Sequence, residues 1–386
     1  MHSNFFWIII TMIFFFCTSY TNDKQKTNKV IKYFSNDYTK ARKKFIDTSL
    51  MAGASIKSLK NPNKGPNNEA LYTDIALFGS KDAKNVLVLI SGTHGVEGFA
   101  GSGIQTGLLQ EGITSKLTHD TSILMIHALN PYGFAHIRRF DEDNVDPNRN
   151  FIDHSESLPK NTGYEYLSDS IAPNSISFFS NIKSFFKLLW YGVKNGQTKL
   201  KFAISGGQYS DPKGLFYGGR SKTWMNQTMG YISEKYLVQA ERVVVLDIHT
   251  GLGHYGEYEI ILNEKEETAA YKRAKKWWGD KVKTTFSNES VSIHLPGSFK
   301  LALPRMFPNA EVTAVSLEFG TISSMRVFWA LRSENWLYHH GGRNHLKAEK
   351  IKSKLLRAFY PDDPKWKFKV WIQGQKIVEQ TLMHIQ

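Results

Sequence analysis

The chain has 386 residues, 41% of them hydrophobic and 22% charged, with 29 glycines and 12 prolines. That balance excludes disordered, collagen-like and low-complexity chains. At about 150 residues per domain the length suits two to three units, or one large α/β domain. Lysine plus arginine outnumber aspartate plus glutamate by 49 to 35, a net charge of +14. The basic residues are scattered and match no nucleic-acid-binding pattern, so no specific nucleic acid is expected as a partner. A solvated basic surface is the expectation, with a weak attraction to anionic membrane surfaces as the alternative. The single cysteine, Cys17, excludes an internal disulfide and a thiolate metal cluster.

Residues 5–17 read FFWIIITMIFFFC. A helix of that length spans about 20 Å, short of the roughly 30 Å of a bilayer core. It suits the apolar stretch of a signal peptide within residues 1–20, with cleavage after Ser19 and export of a cysteine-free chain. The segment before it lacks Lys and Arg, whereas Lys24, Lys26 and Lys29 follow it. An uncleaved membrane anchor is therefore the alternative.

Residues 21–386 read as one catalytic-size domain. Residues 21–70 are polar and mixed, and Asn61-Pro-Asn-Lys-Gly-Pro66 predicts a loop. Four short apolar runs follow: Asn85–Ser91, Ser122–Leu129, Arg242–His249 and Thr313–Gly320. They are rich in Val and Ile and do not alternate, as strands covered on both faces do. Helix-length stretches lie between them, for example 99–112 and 221–240. The alternation predicts an α/β fold with a central, mostly parallel mixed sheet flanked by helices. Residues 155–215 read as an insertion. Within it Phe178, Ile182, Phe185, Phe186, Leu189 and Trp190 recur at helical spacing. The expectation is an amphipathic helix covering the core or a lid, with membrane-surface docking as the alternative. Near the C-terminus, residues 365–373 alternate as an edge strand would.

Each apolar run ends in residues able to do chemistry. The first leads to His94 and Glu97 in a glycine-bracketed turn. The second leads to Arg138, Arg139 and Asp146-Pro147-Asn148-Arg149. The third ends in His249 and the fourth in Glu318. Sites in open α/β sheets form outside the carboxyl ends of the strands, so these groups can converge. Two histidines and one carboxylate are the ligand count of a catalytic zinc site that keeps one position open. Glu318 is then available as the base that takes a proton from water. Arg138 or Arg139 can meet a developing oxyanion. Asn148 and Arg149 suit a substrate carboxylate, and Asp146 suits the outer nitrogen of a ligand histidine. Any one of these residues alone would read as a turn, a structural histidine or a buried acid. Their joint occurrence at strand ends carries the metal reading.

These motifs resemble the zinc carboxypeptidase (M14) superfamily, and within it the DUF2817 branch. The stretches that carry the likeness are SGTHGVEGFAGS at 91–102, NPYGFAHIRRFDEDNVDPNRNF at 130–151, SGGQYSDPKGLFYGG at 205–219, LDIHTGLG at 246–253, LEFGT at 317–321 and ENWLYHHG at 334–341. The resemblance spans roughly residues 35–345 and implies a zinc-carboxypeptidase-like fold with one zinc ion held by His94, Glu97 and His249. It implies Glu318 as general base and acid, and Asn148 and Arg149 as holders of the substrate carboxylate. By similarity to aspartoacylase-like deacylases, Arg139 would polarise the scissile carbonyl, and Asp146 would orient His94. Pro147 stands where such a stretch usually carries Leu or Ala, and its fixed φ can tilt its neighbours. Carboxypeptidases also carry a mobile tyrosine over the metal, for which Tyr217, Tyr255 and Tyr338 are candidates. Tyr217 and Arg138 complete the expected substrate-binding set. The implied activity is hydrolysis of an amide bond beside a free carboxylate, in a small peptide or an acyl-amino acid. The alternatives are an N-acyl amino acid deacylase and an inactive binding module on the same fold. No G-x-S-x-G elbow or phosphate loop points to other chemistry.

Overall fold

The computed structural model describes residues 25–287 and 289–386. The expected leader or anchor at residues 1–20 lies outside the described residues. Eight strands form one sheet: β1 Ser55–Lys64, β2 Ala70–Phe78, β3 Asn85–Ile90, β4 Thr121–His127, β5 Arg242–Thr250, β6 Tyr258–Leu262, β7 Val282–Thr284 and β8 Glu311–Phe319. Their order is β1-β2-β4-β3-β5-β8-β6-β7. The four apolar runs are the adjacent parallel strands β4, β3, β5 and β8. Antiparallel pairs join β1 to β2, β2 to β4 and β6 to β8, so the sheet is mixed around a parallel centre.

After a helical stretch at 25–31, the helices are α1 Tyr38–Met51, α2 Gly98–Gln110, α3 Pro131–Ala135, α4 Thr162–Ile171, α5 Phe178–Asn195, α6 Gln197–Ser205, α7 Trp224–Ile232, α8 Ala269–Trp278, α9 Phe299–Met306, α10 Ser324–His339, α11 Ala348–Phe359 and α12 Pro364–Ile385. Strand residues alternate between two cores. Leu87, Leu89, Leu246 and Ile248 pack with Phe45, Phe99, Ile104 and Trp366 from α1, α2 and α12. Val86, Val88, Val243 and Val245 pack with Met225, Met229, Phe299 and Leu303 from α7 and α9. Burial on both faces is why these strands read as unbroken apolar runs.

Two expectations are corrected. Residues 365–373 are helical, not a strand. Asp363 caps α12 by accepting from Lys365 N at 2.8 Å, and Pro364 occupies its first turn. Trp366, Val370, Trp371, Ile377 and Val378 are buried at helical spacing. Lysines at 365, 367 and 369 made a short window of this helix look two-periodic. At 61–66 the chain stays in β1 through Lys64, with an irregular register after Lys60, and the turn begins only at Gly65.

Within residues 155–215 the chain folds as α4, α5 and α6. The predicted helix is present as α5, started by the Ser177 hydroxyl accepting from Ser180 N. Its apolar stripe does not cover the core, however. Ser184, Leu188 and Gly192 face inward, and the large apolar residues face outward. Buried Arg332 on α10 fixes that orientation, donating to Ser170 O, Asn181 Oδ1 and Ser184 Oγ at 2.7–2.8 Å.

Candidate metal centre and its surroundings

Three neighbouring parallel strands deliver the site. The chain leaves β3 at Ile90 and makes a tight turn through His94 and Glu97 before entering α2. Gly95 is required in that turn. A Cβ there would stand 1.9 Å from Gly133 C and 2.2 Å from Phe134 N, both main-chain atoms. The turn is also pinned from behind, where Val96 N donates to Arg138 O at 2.7 Å. His249 lies at the end of β5 and Glu318 at the end of β8, paired in register. Asp247 and Ser316 form the pair two residues earlier, on the same face.

His94, Glu97 and His249 are all buried, and each offers one ligand atom within 4.8 Å of the others. His249 Nδ1 is 3.2 Å from His94 Nδ1 and 3.0 Å from Glu97 Oε2. His94 Nδ1 is 3.0 Å from Glu97 Oε1. His249 Nε2 is 2.6 Å from Asp247 Oδ2, and Asp247 Oδ1 accepts from Thr93 Oγ1 at 2.7 Å. With its proton on Nε2 toward Asp247, His249 turns a lone pair toward the other two donors. At His94, Asp146 Oδ1 (3.2 Å) and Arg139 Nη2 (2.8 Å) compete for Nε2. Protonated there, the ring donates to Asp146 and leaves Nδ1 bare. Two imidazole lone pairs and a carboxylate then face one another, an electron-rich pocket that takes up positive charge either as protons or as a metal ion. The donor set therefore fits a divalent metal such as zinc.

The electrostatics agree. Burial raises the Glu97 pKa, but the two histidines outweigh it and hold the carboxyl well below its usual range. Burial lowers the His249 pKa, but Asp247 and Glu97 outweigh it and lift it to about 10. The cluster as a whole draws positive charge. Asp146 is likewise held well below its usual range, burial being overcome by Arg139, Arg149 and His94. Glu318 behaves differently. Burial first, then the Glu97 charge, lift it to about 7. Its Oε1 accepts from Leu252 N at 2.9 Å, and the residue remains partly open to solvent.

Arg139 reaches over the cluster. It donates to Glu97 Oε1 at 2.9 Å and to Asp146 Oδ2 at 3.2 Å. Asp146 is extended and accepts from Asn148 N at 2.9 Å, and Pro147 opens the short turn that follows. The proline suits this turn and leaves Asp146 on His94. Arg149 is buried, with Nη2 on Ser205 O at 2.5 Å, Nη1 3.6 Å from Asp146 and an unpaired Nε. Asn148 Oδ1 accepts from Phe299 N at the start of α9.

The structure does not bring every expected residue together. Arg138 points away from the cluster, into an ion pair with buried Glu334 (3.0 Å) and against the Tyr338 ring at 3.3 Å. That pairing turns Arg138 away from the cluster, although the sequence placed it among the substrate-binding residues. Tyr338 donates to Glu142 O, Tyr255 to Asp363, and Tyr217 pairs with Arg220. Tyr217 supports the site only through its carbonyl, which accepts from Asp146 N at 2.7 Å. Two further residues beside the cluster have no role assigned from the sequence. Asp247 carries a signal, being two positions before a candidate ligand histidine in a strand and so on the same face. Lys300 carries none, since its neighbours in sequence are ordinary helix residues. It is buried, with Nζ 2.5 Å from Ser316 Oγ, and burial pushes its pKa down to about 8 despite Asp247 and Glu318.

Among solved structures the chain is similar to carboxypeptidase A from Helicoverpa armigera, at 12% identity and TM-score 0.45, covering 84% of this chain and 74% of that one. It is similar to a metallo-carboxypeptidase from Burkholderia cenocepacia at 11% identity and TM-score 0.45, covering 92% and 70%. It is also similar to an aspartoacylase family protein from Mesorhizobium loti at 14% identity and TM-score 0.35, covering 75% and 67%. No curated protein matches. The model of the family described as "Protein of unknown function (DUF2817)" matches residues 34–373. The match takes in every strand of the sheet and every residue of the buried cluster, so the chain belongs to the DUF2817 family.

Proposed function

We propose that the chain is a zinc-dependent hydrolase of an amide bond next to a free carboxylate, of the metallocarboxypeptidase type. The observation that carries this reading is the convergence of His94, Glu97 and His249, backed by Asp146 and Asp247, with Glu318 on the adjoining strand. Zinc bound by the three residues would supply Lewis-acid polarisation and acidify water at neutral pH. Glu318, lifted to about 7, is poised to take a proton from the attacking water and return it to the leaving amine. Arg139 stands where its guanidinium can meet the charge that develops on the carbonyl oxygen. Asn148 and Arg149 would receive the substrate carboxylate, for which the unpaired Arg149 Nε is a free donor.

A second reading is deacylation of an N-acyl amino acid, with which the enclosure of Arg149 is equally compatible. That residue is 3% exposed and donates to Ser205 O, which encloses the carboxylate end of the substrate and suits one terminal amino acid, as an acyl-amino acid or a peptide C-terminus supplies. Export is part of the proposal and rests on the apolar run at 5–17, with a membrane anchor as its alternative.

Metal analysis of the purified chain beside His94→Ala, followed by turnover of peptides and acyl-amino acids with free carboxylates, tests the reading. Near one zinc per chain, lost in the variant, together with turnover of one substrate class, is the expected result. A chain that takes up no metal on reconstitution would leave a binding module.

A further inference from the structure

The outward face of α5 serves no part of the proposed chemistry. Phe178, Phe179, Phe185, Phe186, Trp190 and Val193 are all exposed, Phe179 to 81% and Val193 to 71%. Ile182 and Leu189 complete the stripe at helical spacing and are exposed as well. With aromatic side chains offering about 150–250 Å² each, the continuous apolar area is on the order of 800 Å². The largest apolar patch on an ordinary monomer is about 300–600 Å². The helix is not turned outward by chance, because Arg332 holds its polar stripe inward through Asn181 and Ser184.

The charge around the stripe selects the occupant. Between Ser170 and Ser210 the sequence has five lysines, at 183, 187, 194, 199 and 201, and no aspartate or glutamate. Lys187 pairs with Asp169 at 2.6 Å. Among the described residues no ion pair engages exposed Lys183, Lys194 or Lys199. An apolar, aromatic stripe edged by free lysines matches an anionic lipid surface, which offers acyl chains beneath a layer of negative headgroups. A second copy of the same face would set lysines against lysines. No described helix is long and apolar enough to cross a membrane.

We propose that α5 docks the protein on an anionic membrane surface, its aromatic stripe entering the interface and Lys183, Lys194 and Lys199 meeting the headgroups. The element next to it in the chain reaches the candidate site. Helix α6 follows α5 through Gly196, and its last residue, Ser205, covers Arg149. Docking thus holds the site one helix away from the bilayer. The inference is independent of the hydrolase reading and survives if that reading fails.

The test is co-sedimentation of the full chain with phosphatidylcholine vesicles, with and without phosphatidylglycerol, at low and high salt. Two variants accompany it: Phe185→Ser/Phe186→Ser/Trp190→Ser, and Lys183→Glu/Lys194→Glu/Lys199→Glu. All six positions are on the surface, and thermal melts matching the parent verify folding. The expected result is salt-sensitive binding to the anionic vesicles that falls at least about tenfold in each variant. Equal binding by parent and both variants would overturn the proposal and assign the binding elsewhere, residues 5–17 included. Absence of binding by the parent would overturn it too. So would a parent dimer that dissociates in the aromatic variant without any vesicle binding, since the occupant would then be a second copy.

Discussion

Asp247 and His249 lie two positions apart on β5, and the Asp247 carboxylate meets His249 Nε2 at 2.6 Å. Strand periodicity puts both side chains on one face, so the element that supplies the candidate ligand also supplies its orienting partner. Thr93 Oγ1, from the turn after β3, fixes the other carboxylate oxygen. Asp247→Ala is expected to leave the fold intact and weaken metal binding roughly 10–100-fold. Competition against a chelator of known affinity reads this directly. An unchanged affinity would reduce Asp247 to a structural acid.

Glu318 separates metal binding from turnover. Glu318→Gln keeps an acceptor for Leu252 N, keeps the shape and removes the titrating proton. Metal content should stay at the parent level while turnover falls about 10²–10⁴-fold. Loss of metal together with activity would make Glu318 a ligand instead of the base.

The central sheet and the cluster were both legible in the sequence, for one physical reason. Parallel strands buried on two faces must be continuous apolar runs, and polar residues that end such runs stand out. His94, Glu97, His249 and Glu318 were visible in this way. Arg138 and Arg139 were not separable, because adjacent residues after a turn point in different directions, and only packing shows that Glu334 takes the first. Lys300 reaches Ser316 from another element and left no local signature. The α5 stripe is legible as helical, but periodicity does not say which face turns inward. A single arginine on α10, far away in sequence, decides that.

His127 predicts an acid-sensitive step unrelated to the metal. It is fully buried, stacked on Phe45 and hydrogen-bonded to Ser102 Oγ at 2.9 Å. Burial lowers its pKa from 6.5 to about 4. Between those values the unfolded chain binds a proton that the native chain refuses. Stability therefore falls as pH drops through this window, by about 3 kcal/mol in all. In His127→Phe that contribution is absent. The stability difference between parent and variant, followed by denaturant titration from pH 7 to about pH 4, should shift in favour of the variant. A difference that stays constant with pH would mean that His127 is protonated in the native state.

Gly95→Ala tests whether the turn that carries the candidate ligands depends on close main-chain approach. The new Cβ would stand 1.9 Å from Gly133 C, and main-chain atoms cannot rotate away as a side chain can. Either the turn or α3 must shift, and His94 and Glu97 lie on both sides of the substituted residue. A cost of about 1–3 kcal/mol in stability is expected, comparable to overpacking a core. Metal affinity should suffer more, because ligand atoms tolerate only a few tenths of an ångström of error. Gly112→Ala is the control, with a positive φ of 75° just beyond the far end of α2 but open space around it. It should cost stability through backbone strain and leave metal binding at the parent level. If both variants bind metal alike, the close contact between Gly95 and α3 is not what holds His94 and Glu97 in place.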